Sequence, residues 1–186
     1  MKKDPQWIIT SVDGKIASVA VGYGGAAKVL SALSAQPSTC ADEVSCVKMS
    51  SEELLDLSDR VRWEDLYLIG SPFRRSVWKA LFDITHGPEG ALPPRLLSYS
   101  DLAESIGKRP GVRSVAHAVG QNPVAVLIPC HLIIPKEALR RLHDLEEENS
   151  LFRWKTLYMV DGNVDYGEFA YGGELKRRLI QIHMNR

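Results

Sequence analysis

The chain has 186 residues, 45% of them hydrophobic and 25% charged, with a formal net charge of zero; this is the make-up of a globular protein that folds on its own core. Zero net charge excludes a chain-wide basic field, so any nucleic-acid site has to be a local cationic patch. The three cysteines fall at irregular spacings, "MKKDPQWIIT" lacks an apolar signal core, and no window approaches the roughly 18 apolar residues of a membrane span. A disulfide scaffold and a membrane protein are thereby excluded, and a reduced, cytosolic or nuclear protein is the expectation.

The first run, "WIITSVDGKIASVAVG", is two β-rich stretches around Asp13-Gly14, a pair whose glycine takes the positive φ of a tight hairpin turn. "AAKVLSAL" follows as a short helix, "VSCVKM" as a third strand, and "SSEELLDLSD" as a helix capped by Ser50 or Ser51 with acids in its first turn. Residues 1–70 therefore read as a small α+β unit with an antiparallel sheet. The composition changes at Gly70. "SPFRRSVWKALFDI" places Ser71 as N-cap and Pro72 at the first helical position, and Phe73, Val77, Trp78, Leu81 and Phe82 follow helical spacing. Beyond the loop "THGPEGALPPR", an amphipathic helix starts at Ser98 or Ser100 in "SYSDLAESIG". The turn "KRPG" then leads into "VRSVAHAVGQ", which ends before Asn122-Pro123. Two short helices joined by a Gly-containing turn make a helix-turn-helix candidate or an ordinary helical hairpin with a charged corner. Lys108, Arg109 and Arg113 gather at that turn and at the start of its second helix.

"NPVAVLIPCHLII" then places Cys130 and His131 behind a proline, at the end of an apolar run. A thiol becomes a nucleophile only as the thiolate, scarce at neutral pH for an ordinary pKa near 8.5, so Cys130 needs an activating neighbour. Adjacent side chains on an extended segment face opposite ways, so His131 reaches Cys130 only through a turn or a bridging water. Alone, the dipeptide reads more often as core packing than as catalysis. The remaining segment carries a helical period with the acidic run Glu146 to Glu148 and closes on a basic amphipathic helix, "YGGELKRRLI" onward.

Read together, "SPFRRSVWKAL", "SYSDLA", "VRSVAHAVGQNP" and "NPVAVLIPCHLI" resemble, in order, the motifs of the O6-alkylguanine-DNA alkyltransferases, whose active-site signature is Pro-Cys-His-Arg-Val. The resemblance covers about residues 70–134 well and the terminal helix loosely. It implies an α+β fold in which the unit 1–70 precedes a mostly helical, winged helix-turn-helix-like DNA-binding and catalytic domain, 71–186. It further implies a monomer that takes the alkyl group of O6-alkylguanine in double-stranded DNA onto its own cysteine, once, without metal or cofactor. By the same resemblance Cys130 is the nucleophile, His131 its base through a water, and Asn122 the brace of the active-site turn. Tyr99 helps rotate the base and stabilises the leaving guanine. Arg113 is the finger that enters the duplex. Ser114, Ala116 and His117 lie along the groove-facing side of the recognition helix, and Lys108 and Arg109 meet the backbone. An alkyltransferase-like lesion sensor is the alternative, although such proteins typically lack the cysteine.

The chain departs from the pattern in four places. Leu132 replaces the arginine after Cys-His, and His117 replaces a small residue of the recognition helix. The stretch before the terminal glycines is longer by a couple of dozen residues. The glutamate that orients the active-site histidine is missing: aligned on the glycines its position is Met184, and a one-residue shift gives His183. A substitute acid would have to come from elsewhere, with Glu137, Asp144 and Glu146 to Glu148 as candidates.

Overall fold

The computed structural model describes residues 4–35, 41, 43–86, 96–148 and 164–184, without the side chains of 145–148. Cys40, most of the "THGPEGALPPR" loop and the greater part of the expected insertion lie outside the described residues.

The chain opens with strands β1 (Trp7–Val12) and β2 (Lys15–Val21). Asp13 and Gly14 take φ of 49° and 77°, so both turn residues are left-handed and the hairpin closes on two residues, as the Asp-Gly pair predicts. Helix α1 (Gly24–Ser34) crosses back, and β3 (Val44–Met49) pairs antiparallel with β1, giving the order β2-β1-β3. Helix α2 (Ser51–Ser58) is capped by Ser50 in a reciprocal box with Glu53, which decides between the two serines. β1 is central and buried on both faces. Val12 packs with Ala17 and Val29 on the α1 side, while Trp7 and Ile9 join the main core.

Helix α3 (Pro72–His86) buries Val77, Trp78, Leu81 and Phe82, the stripe its spacing predicts. Ser71 Oγ accepts from the Arg74 amide as its cap. Gly70 is required where it stands, because a β-carbon there would lie 2.7 Å from the Trp78 ring. Helix α4 (Tyr99–Ser105) is capped by Ser98 with Asp101, not by Ser100. Its end is closed by Gly107, at φ 65°, with Lys108 N–H bonded to Ala103 O and Gly107 N–H to Glu104 O, the pattern of a Schellman cap. A single 3-10 turn over Arg109–Gly111 then starts helix α5 (Val112–Gly120). Val115, Ala118 and Val119 are buried, and the Trp78 indole donates to Ala118 O at 2.8 Å, locking α5 onto α3. The helix-turn-helix is therefore formed.

Two short strands had no sequence signal. β4 (Leu97–Ser98) and β5 (Ile133–Ile134) pair in parallel, tying the chain just before α4 to the chain just after His131. Helix α6 (Lys136–Glu148) and helix α7 (Gly173–Met184) follow. The sheet and the helices share one core, in which Trp7, Ile9 and Val19 pack in the same cluster as Trp78, Leu102, Val115 and Leu127. Val19 N–H also donates to Pro123 O at 2.9 Å, so the outer edge of β2 is continued by the chain that runs into the cysteine loop. No helix among the described residues is long and apolar enough to cross a membrane.

Candidate active site

The loop between α5 and β5 is where the apolar run of the sequence goes. Every residue from Val124 to Ile134 except Pro129 and the two polar members Cys130 and His131 is an apolar side chain at or below 3% exposure. Burying so much backbone requires that its polar groups be paired, and Asn122 supplies the pairing. Its Oδ1 accepts from Val124 N–H at 3.1 Å, and its Nδ2 donates to Ile128 O at 2.8 Å and to Cys130 Sγ at 3.1 Å. Val126 sits at φ 73°, a conformation costly for a β-branched residue, and the turn around it is held by Ile128 N–H to Val124 O. Cys130, His131 and Leu132 form one 3-10 turn, so the thiol and the imidazole are not on an extended segment.

Cys130 lies at the floor of a cavity of about 400 Å³, lined also by Tyr99, Ala116, Asn122, Glu168, Phe169 and Tyr171. That size suits a small planar ligand. Four of the sequence-predicted residues, Tyr99, Ala116, Asn122 and Cys130, thus converge on one pocket. Arg113, Ser114 and His117 are exposed on α5 and line an adjoining groove with Ser71, Phe73 and Arg74. Lys108 and Arg109 stand apart at the turn, exposed, with Arg109 3.6 Å from Glu104. His131 is fully buried behind the thiol.

Burial pushes the Cys130 thiol up, against the Asn122 hydrogen bond and the nearby Lys176 charge, which pull it down. Burial likewise drives His131 well below the ordinary histidine range, helped by His183 and Lys176. The resting site is therefore a neutral thiol beside a neutral imidazole. Tyr99 is pushed up by burial, then by Cys130 and Glu168, and so keeps its phenolic proton.

Sequence reasoning missed three contributors, Lys176, Phe169 and Tyr171. Lys176 is buried on α7, donates to Ile133 O at 2.8 Å, and is lowered to about 8, chiefly by burial. Its signal was available: Lys176, Leu179, Ile180 and His183 are all buried at helical spacing, one face of α7. Phe169 and Tyr171, set edge to face at 5.5 Å, line the same pocket as Tyr99. Between His183 and Met184, the two positions the sequence left open, the structure decides for the neighbour of His131. Its Nε2 lies 3.1 Å from His183 Nδ1, so the one-residue shift is the right register and no carboxylate occupies the place. Of the acids considered, Glu137 pairs with Arg140 on the exposed face of α6, Asp144 is exposed, and the side chains of Glu146 to Glu148 lie outside the described ones.

The second helix of the helix-turn-helix unit thus lines, with Ala116 and Val119, the pocket that holds the thiol. Residues 72–149 match the DNA-binding domain of 6-O-methylguanine DNA methyltransferase. Over this segment, less than half of the chain, the sequence is similar to the O6-alkylguanine-DNA alkyltransferases. A protein of Acanthamoeba polyphaga mimivirus named probable methylated-DNA–protein-cysteine methyltransferase is 43% identical over 72 residues, 39% of this chain and 44% of its own length. The inducible methylated-DNA–protein-cysteine methyltransferase of Bacillus subtilis is 42% identical over 67 residues, 36% of this chain and 34% of its own. The match thus spans less than half the length of these relatives. Over nearly the whole chain, the O6-methylguanine-DNA methyltransferase structure from Pyrococcus kodakaraensis superimposes with a TM-score of 0.56 at 16% identity, covering 98% of this chain and 94% of that one. At that identity the likeness establishes the α+β fold.

Proposed function

We propose that the protein repairs DNA by moving the alkyl group from O6 of guanine to Sγ of Cys130, once per molecule. The observation that carries this reading is the placement of a buried thiol at the floor of a cavity flanked by the recognition helix of an alkyltransferase DNA-binding domain. O6 of a stacked guanine cannot meet a buried sulfur, so the base must leave the helix, at a cost of a few kcal/mol. Arg113, exposed near the start of α5, fills the space the base vacates. Ser114, Ala116 and His117 follow along the groove, and Arg74, Lys108 and Arg109 provide phosphate contacts that set the register without reading sequence. The extruded base enters the pocket lined by Tyr99, Phe169 and Tyr171. The thiol proton passes through a water to His131, the thiolate attacks the alkyl carbon, the C–O bond breaks as S–C forms, and the Tyr99 hydroxyl donates to the departing guanine. Asn122 holds sulfur and loop together throughout. The reaction uses side chains alone, with no metal or cofactor, in a monomer of two units, 1–70 and 71–186, working where DNA is, in the cytoplasm or a nucleus.

The test is to incubate the protein with duplex DNA containing O6-methylguanine and weigh it intact. The expected result is a gain of one methyl, mapped to the Cys130 peptide, absent in Cys130→Ser, which still binds the duplex. A methyl on Cys40 or Cys46, or DNA binding with no mass gain, overturns the reading; the latter outcome would identify a lesion sensor.

A further inference from the structure

A second cavity, of about 380 Å³, opens between the amino-terminal unit and the helix-turn-helix, and its lining holds two cations, Lys28 of α1 and Arg74 of α3, but no acid. Neither cation has an ion-pair partner among the described residues. One face of α1 flanks the cavity, since Gly24, Lys28 and Ala32 recur at four-residue steps. Tyr23, the N-cap of that 11-residue helix, makes no side-chain bond to the first turn, so α1 begins uncapped where Gly24 and Gly25 line the cavity. An independent sign of a ligand is Ser18 on β2. Its side chain lines the same cavity, the residue is 4% exposed, and its hydroxyl has no hydrogen-bond partner among the described residues. Buried hydroxyls are ordinarily paired. A β-carbon on Gly25 would lie 2.9 Å from Ala20 Cβ and closer still to Ser18 Oγ, so it is glycine that lets the first turn of α1 come down on this hydroxyl.

Hydroxyl, free first-turn amides, ammonium and guanidinium are all donors, and together they suit an anion. We infer that this cavity receives a phosphate group, that of the DNA strand from which the damaged base is extruded, and that the amino-terminal unit is thereby part of the DNA-binding surface. The inference rests on the alkyl-transfer reading above and extends its contact surface. Gly120, Asn122 and Tyr171 line both this cavity and the Cys130 pocket, and Arg74 lines both this cavity and the groove of Arg113 and His117. A strand with its base in the pocket and Arg113 in the vacated gap therefore runs beside the cavity. Lys108 and Arg109 stand at the start of α5, and Gly120 brings the cavity to its end. The backbone is thus gripped at both ends of the recognition helix while the base is out, which sets register without reading sequence.

The test uses the full chain carrying Cys130→Ser, so that binding is read without transfer, and a duplex containing O6-methylguanine. Lys28→Ala should reduce the slope of log affinity against log salt by about one, the signature of one lost phosphate contact. Lys48→Ala, which removes an exposed cation from β3 at the opposite edge of the same sheet, should leave the slope unchanged. Gly24→Asp adds a carboxylate where a side chain meets no atom within 4 Å. It should raise the melting temperature, as an acid in a first turn does, while weakening duplex affinity about tenfold. An unchanged slope in Lys28→Ala, an equal fall in Lys48→Ala, or full affinity in Gly24→Asp overturns the inference. A further arm separates the two sources of phosphate by following the Gly24 and Gly25 amide resonances. The duplex should move them; movement by inorganic phosphate but not by the duplex overturns the assignment to DNA. A wild type that binds the duplex through Lys28 yet gains no methyl overturns the proposed function and leaves the role of this cavity standing.

Discussion

Replacing Lys176 by methionine tests how the buried cation is tolerated. An ammonium whose pKa is 10.5 in an unfolded chain and about 8 in the fold binds fewer protons when folded, between those two values. Stability therefore rises with pH across that window, and below pH 8 the buried charge exacts its full cost. At about 1.4 kcal/mol per pH unit, the gap amounts to about 3 kcal/mol. Methionine fills nearly the same volume without the charge, but abandons the hydrogen bond to Ile133 O, a loss of about 1–3 kcal/mol. At pH 7 the two effects nearly cancel, so the signature is the slope. The measurement is urea unfolding of Lys176→Met and its parent at pH 7, 8, 9 and 10, both carrying Cys130→Ser. That background removes a thiol that titrates in the same region with the opposite sign. The parent should gain about 2.5 kcal/mol relative to the methionine variant between pH 7 and pH 10, the rest of the gap lying above pH 10. Parallel stability curves would show that the ammonium is not desolvated, and the account of the site electrostatics would fail with it.

Asn122→Asp keeps the acceptor for Val124 N–H but replaces the donor to Cys130 Sγ with a second acceptor. The thiol should rise further, and its alkylation by iodoacetamide at pH 8 should slow several-fold; an unchanged or faster reaction would mean that the amide does not set thiol reactivity. Arg113→Ala should slow repair of methylated duplex far more than reaction with free O6-benzylguanine, because a free base needs no extrusion. Equal losses on the two substrates would assign Arg113 a structural role.

What could be read from the sequence is what local chemistry decides. The Asp13-Gly14 turn, the capped starts of α2, α3 and α4, and the α3 stripe from Val77 to Phe82 each depend on a few neighbouring residues and are found where the residues place them. So are the pocket members Tyr99, Ala116, Asn122 and Cys130, since the resemblance fixed their order along ungapped chain. The β4–β5 ladder escaped because two residues per strand leave no periodicity, and its partners lie 36 positions apart. Lys176 stands in a run of three cations, which composition reads as a solvated face; its helical spacing from Leu179, Ile180 and His183 is the signal that marks it as the one facing inward. The His131 partner was ambiguous because glycine spacing counts residues, whereas a helix counts turns; only the packed face of α7 chooses between His183 and Met184.

The hydrogen bond from Val19 to Pro123 joins the outermost strand of the first unit to the chain just before the nucleophile loop, and Tyr67 N–H to Ile16 O covers the same strand further along. An amino-terminal unit with its own helices and turn chemistry would ordinarily be free to drift, to be exchanged for another, or to be lost in descent. Here its bordering strand serves as a mould against which Asn122 and its neighbours are cast. The contact is made by the backbone, so at position 19 any residue but proline can supply the donor, and what the pocket floor asks of this unit is the course of its strand.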